Sequence, residues 1–124
     1  MIKNLTNLVM GVLVVAMMLV VVMKTAMAQD AVKVAPESYK VLLENDRVRV
    51  LEYRIKPGMK DAMHSHPAYI VYAFTPGKFK FTLPDGKTFD REVNANEVFF
   101  NEAETHAYEN LGSTEAHGLL IELK

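Results

Sequence analysis

The sequence has no cysteine, and this absence removes two architectures at once. No disulfide can hold the fold together, and no lipid-modified cysteine can tether the chain as a bacterial lipoprotein. A basic excess is missing as well, with 14 Lys and Arg against 15 Asp and Glu. That balance argues against nucleic acid as a partner. Beyond residue 28 no segment shows an apolar period of 3.6 residues, so a helical bundle is excluded. Internal repeats and low-complexity tracts are also absent. Tryptophan is absent, and histidine occurs only four times.

The one long apolar run lies at the start. Lys3 supplies a positive beginning, Leu8 to Met23 is apolar apart from Gly11, and Ala26-Met27-Ala28 has the small-x-small form of a signal-peptidase site. Residues 1–28 are therefore expected to be a signal peptide cleaved before Gln29, directing the chain out of the cytoplasm, to the periplasm. The competing reading is an uncleaved anchor, and membrane contact is expected only through this leader. The segment holds six of the eight methionines. Its removal leaves 96 residues with 12 basic and 15 acidic side chains, a net charge of −3. That length supports one small domain with a modest core.

Residues 29–38 are polar and small, contain Pro36, and read as a flexible lead-in to a domain spanning 39–124. Short β-type runs then alternate with turn signals every eight to twelve residues, at 39–43, 47–55, around His64, 69–74, 79–83, 88–93, 97–100, 106–110 and 116–123. Asp85-Gly86 marks a hairpin. In the second run, Val48 and Val50 alternate with arginines before the apolar phase moves to Leu51, Tyr53 and Ile55, which suggests a bulge or a strand lying between two environments. Eight or nine short strands in this length predict an all-β antiparallel sandwich or barrel.

Three of the four histidines are informative. His64 and His66 are one residue apart, so on a strand their imidazoles leave the same face. His106, from a different strand, would complete a three-nitrogen set for a divalent metal. His117 shares parity with Leu119, Ile121 and Leu123 and reads as a core or surface histidine, not a fourth ligand.

With these histidines on this strand pattern, the chain resembles a small single-domain cupin from about Val41 to Leu123. The first cupin motif is matched by Gly58, five residues, His64-Ser65-His66 and a closing Gly77; the end of the second by His106 and Asn110. The sequence departs from the pattern at Ile70, which stands where the family has a glutamate. Asn101 and Ala103 replace a proline and a glycine, and Ala95 or, with a slip of one residue, Asn96 stands at the second motif's first glycine. The resemblance implies a double-stranded β-helix, or jelly roll, with the metal inside the barrel mouth and a homodimer as the common assembly.

Three neutral imidazoles leave the full charge of the ion uncompensated and one to three coordination positions open. Iron, nickel, copper, manganese and zinc all accept such ligands. Ile70, Tyr72 and Phe74 share one strand face and are expected to give the pocket an apolar, aromatic wall suited to a small organic ligand with an oxygen-bearing head. Glu104, Tyr72 and Tyr108 are the acid–base candidates. For Glu104 the plainer reading is a solvated loop carboxylate, and for the tyrosines packed aromatics. Asn110 is expected to tie a turn or orient the site, and Gly58 and Gly77 to serve the backbone. Three functions stay open: a metal-dependent oxidoreductase of dioxygenase type acting on a small organic substrate, a non-catalytic cupin module binding a metal or small molecule, and a metal-assisted isomerase or lyase, which would need a general base.

Overall fold

The computed structural model describes residues 29–124, and the leader expected at 1–28 lies outside the described residues. Nine strands follow one another: β1 Tyr39–Glu44, β2 Val48–Ile55, β3 Lys60–His66, β4 Tyr69–Ala73, β5 Gly77–Thr82, β6 Thr88–Val93, β7 Val98–Asn101, β8 Glu104–Asn110 and β9 Ala116–Leu123. They form two antiparallel sheets, one in the order β1-β2-β9-β4-β7 and the other β3-β8-β5-β6. After β2 the chain crosses repeatedly between the sheets, which is the connectivity of a jelly roll. The predicted all-β, double-stranded β-helix is the fold observed.

Local chemistry explains the corners. Asn45 Oδ1 accepts from the backbone N–H groups of Arg47 (2.8 Å) and Val48 (3.0 Å), closing the β1–β2 turn. Asp85-Gly86 closes the β5–β6 hairpin, with Leu83 N–H donating to the Lys87 carbonyl. Gly58 has φ +76°, and Asn96 takes the left-handed conformation at φ 63°. The slipped position, Asn96, is therefore the turn residue. Gly77 is required by proximity, because a Cβ there would lie 2.7 Å from the Phe79 ring.

Between the sheets lies a core of Leu51, Tyr53, Ile55, Val71, Phe79, Val93, Tyr108 and Leu120, all less than a tenth exposed. Two expectations are corrected here. Residues 29–38 are not a loose lead-in. Asp30 caps a one-turn helix, α1 (Ala31–Val34), its side chain accepting from Val32 N–H at 2.9 Å. Ala31 and Ala35 are buried, and the Ser65 N–H donates to the Gln29 carbonyl at 2.7 Å. Two small apolar residues and an acidic cap suffice to dock the segment. The bulge read in β2 is also absent, since β2 pairs with β9 without interruption from Val48↔Leu123 to Ile55↔Ala116; the phase shift instead marks a strand between two environments. Its inward face is Arg49, Leu51, Tyr53 and Ile55. The irregularities fall in β1, between Val41 and Leu43, and in β3, between Asp61 and His64.

Candidate metal centre

The bulge in β3 changes which residues face inward. Asp61 and His64, three positions apart, are both buried, and His66 follows by ordinary alternation. On β8, alternation sends Glu104, His106, Tyr108 and Asn110 to the same interior. His64 pairs directly with His106 across the ladder, and His66 with Glu104. The three imidazoles are buried, with ring centroids 4.9 Å (His64–His66), 5.0 Å (His64–His106) and 5.4 Å (His66–His106) apart. One nitrogen of each lies within 4.8 Å of the others, a spacing that could hold one metal ion.

Each ring is oriented by an oxygen at its Nδ1. His64 Nδ1 lies 2.8 Å from the Ala62 carbonyl inside the bulge, His66 Nδ1 2.8 Å from Glu122 Oε1, and His106 Nδ1 3.3 Å from Glu104 Oε1. An acceptor at Nδ1 places the proton there and leaves the Nε2 lone pair for a metal. Burial above all, assisted by the neighbouring imidazoles, pushes His64 down to about 4, so at neutral pH it is in the uncharged form a ligand needs. The donor set therefore fits a divalent transition ion.

The partner of His66 escaped the sequence reading, as did the network behind it. Glu122 is almost fully buried, and Arg49 Nε donates to its Oε2 at 2.6 Å. Arg49 also forks onto Asp30 through Nη1 (2.7 Å) and Nη2 (3.1 Å). The residue following Gln29 is thus tied through two side chains to a candidate ligand. Burial pulls the Glu122 carboxyl up, but hydrogen bonds from His66 and Arg49 outweigh it and hold the group below its usual value. Glu104 is shifted down for the same balance of reasons, with His106 and Tyr69 as its donors. Glu104 is accordingly a half-buried strand residue at the site, not a solvated loop carboxylate.

The face assigned to β4 is reversed. Tyr69, Val71 and Ala73 point inward, whereas Ile70 and Tyr72 lie on the outer side. The Tyr72 hydroxyl meets Asn96 in an exposed contact, and Phe74 is more than a third exposed, packing edge-on against His117. Tyr72 is therefore removed from the acid–base candidates. Tyr108 does enter the barrel, but its hydroxyl donates to the buried Asp61 carboxyl. His117 sits on the outer face, with Nε2 2.8 Å from Glu52 Oε1. Asn110 ties the 111–114 turn, donating to the Ile55 and Thr114 carbonyls and accepting from Gly112 N–H. Since Ile70 pairs with Ile121 and Phe100 on the outer side, Ile70→Glu is expected to leave metal affinity and preference unchanged in chelator competition. A shift in preference would mean that this face has been misassigned.

An aromatic cavity adjoins His66 and His106, with about 650 Å³ of empty space that includes its open mouth. Tyr53, Tyr69, Phe79, Phe81, Phe89 and Tyr108 contribute to its wall, and Glu104, Arg91 and Asn101 are its polar members besides the histidines. The wall is aromatic as expected, but β4 contributes Tyr69 and Val71 to it.

A small antiparallel double-stranded β-helix with three inward histidines is the architecture of the cupins, and comparison with solved structures agrees. The chain is similar to a cupin domain from Bordetella pertussis Tohama I, with 28% identity and a TM-score of 0.64 over 69% of this chain and 91% of that one. It shares its fold with a double-stranded β-helix protein from Klebsiella pneumoniae (18% identity, TM-score 0.55, 68% of this chain and 74% of that one). The polyketide cyclase RemF from Streptomyces resistomycificus also has this fold (23%, TM-score 0.52, 68% and 63%). No family model matches the sequence, and no curated protein does.

Proposed function

We propose that this chain is an exported cupin that binds one divalent transition metal through His64, His66 and His106 and uses it to oxidise a small organic substrate with dioxygen. The observation that carries this reading is the convergence of three buried imidazoles, each held at Nδ1 by an oxygen, beside an aromatic cavity. Bound there, the ion supplies a Lewis-acidic centre with positions left for a chelating substrate and for dioxygen. The protein's own part is to exclude bulk water with aromatic walls and to hold Glu104 beside His106 as a proton acceptor for an acidic substrate hydroxyl. In a dioxygenation both oxygen atoms enter the organic product, so no external reductant is consumed.

A second reading, a binding module without turnover, is favoured by one observation. Glu104 is already engaged by the Tyr69 hydroxyl and by His106, and the motif position usually held by a glutamate is an outward Ile70. Dioxygen consumption by the Fe²⁺-loaded protein, measured against a panel of catechols, flavonols and thiols, separates the two. Uptake with at least one class is expected. Tight ligand binding with no uptake from any of them would establish the module instead.

Self-association belongs to the same proposal. The outer face of the five-stranded sheet carries a row of apolar side chains in direct cross-strand register: Leu43, Val50, Ile121, Ile70 and Phe100. Leu43 and Phe100 are at least half exposed, and a two-fold interface between copies would cover the row.

A further inference from the structure

We infer that the substrate or ligand is an aromatic acid and that Arg91 binds its carboxylate; this rests on the metal-and-cavity reading above and names the class of molecule that the cavity selects. The chain's other partly buried arginine is saturated with acid: Arg49 bridges Asp30 and Glu122. Arg54, at the surface, likewise meets both Glu52 and Glu115. Arg91 is half-buried and lines the cavity, yet among the described residues it has no carboxylate within ion-pair distance. Its guanidinium carbon lies 3.7 Å from the centroid of the Phe99 ring, and its one side-chain hydrogen bond is a long contact from Nη1 to Asn101 Oδ1 at 3.5 Å. The contact with Phe99 engages the guanidinium through its π-face and leaves its N–H donors, apart from the long Nη1 contact, uncommitted among the described residues. A planar carboxylate is the group that such a fork accepts through two parallel hydrogen bonds.

The position of Arg91 gives the rest of the molecule. It lies on β6, the edge strand of one sheet, and reaches Phe99 and Asn101 on β7, the edge strand of the other. Asn101 pairs with Tyr69, whose ring centroid is 5.0 Å from that of His66. The cation is therefore separated from a candidate metal ligand by two side chains along one wall. Apart from Glu104 beside His106, the side chains completing the cavity are aromatic or aliphatic, among them the stacked pair Phe81 and Phe89 (5.3 Å). An aromatic ring with a chelating oxygen at one end and a carboxylate at the other matches this order of metal, aromatic wall and guanidinium.

Calorimetric titration of the Zn²⁺-loaded protein with 3,4-dihydroxybenzoate and its neutral amide tests the assignment, since both chelate through the same catechol and zinc prevents turnover. The acid is expected to bind at least about tenfold more tightly than the amide, the range for a hydrogen-bonded charged group. In Arg91→Met that preference should fall to about twofold or less, with amide affinity retained, whereas Arg91→Lys keeps part of it. An unchanged preference in Arg91→Met, or none in the parent, would overturn the role of Arg91 while leaving the metal-and-cavity reading intact. Equal loss of both ligands would also overturn it, showing that Arg91 only latches the two sheet edges. Binding of neither probe by metal-replete parent protein would instead sink the metal-and-cavity reading itself.

Discussion

His66→Ala is expected to empty the site of metal, whereas His117→Ala is expected to leave occupancy at the parental level. His66 is buried, its Nδ1 is fixed by Glu122, and its ring centroid lies within 5.4 Å of both other candidate ligands. His117 lies on the outer face of β9 and pairs with Glu52. Removing an outer-sphere partner of a metal ligand typically lowers affinity about 10–100-fold, and removing a ligand should exceed that. The check is metal content per chain after purification, together with chelator competition on the reloaded proteins. Equal loss in both variants would show that the ligand set is wrong. His117→Ala also controls for general damage, because it too breaks a histidine–carboxylate pair.

The histidine set was legible because it needed only two local facts, alternation along β3 and a third imidazole from a neighbouring strand. The strand pattern was legible for a similar reason: Asn45, Gly58, Asp85-Gly86 and Asn96 punctuate it chemically. Which face of a strand looks inward was harder to read. On β4 and β9 both faces are apolar, so hydropathy could not rank them, and on β4 the match of Ile70 to the motif's glutamate position pointed to the wrong side. The true inner faces contain small or polar residues, such as Ala73, Gly118 and Glu122: Gly118 leaves room for the Tyr53 ring, and Glu122 holds His66. Arg49 misled in the same way, since an arginine between valines reads as solvent-facing. A hint was present in Glu122, an acid on the Ala116–Gly118–Leu120 face of the last strand, but it acquires meaning only once β9 is placed beside β2.

The apolar outer row and the polar inner residues have one physical explanation if the outer face is covered by a second copy. Burial then comes from both sides of the five-stranded sheet, and hydropathy alone cannot rank them. The other sheet shows the contrast: Lys78 and Lys80 on β5 are exposed, alternation assigns Phe79 inward, and the sequence reading of that strand holds.

Arg49→Met should be the most destabilising single change outside the aromatic core. Among the described residues the guanidinium is the only Lys or Arg cation beside Glu122, and deleting it strands an almost fully buried carboxylate with His66 as its one remaining donor there. Breaking a buried pair from one side costs roughly 3–5 kcal/mol, readable as a lowered midpoint in urea unfolding. Lysine should not rescue it, because one ammonium cannot fork onto Asp30 while also meeting Glu122. The double variant Arg49→Met/Glu122→Leu separates the two jobs of the network. With the orphaned charge gone, most of the lost stability should return. Metal affinity should stay depressed about 10–100-fold, because His66 Nδ1 has lost the acceptor that aims its Nε2. Full recovery of both properties would mean that Glu122 packs beside His66 without positioning it. A stability loss below about 1 kcal/mol in Arg49→Met, the scale of an exposed ion pair, would mean that water reaches the network and that the tie from Asp30 to the metal centre is not what holds the barrel's end together.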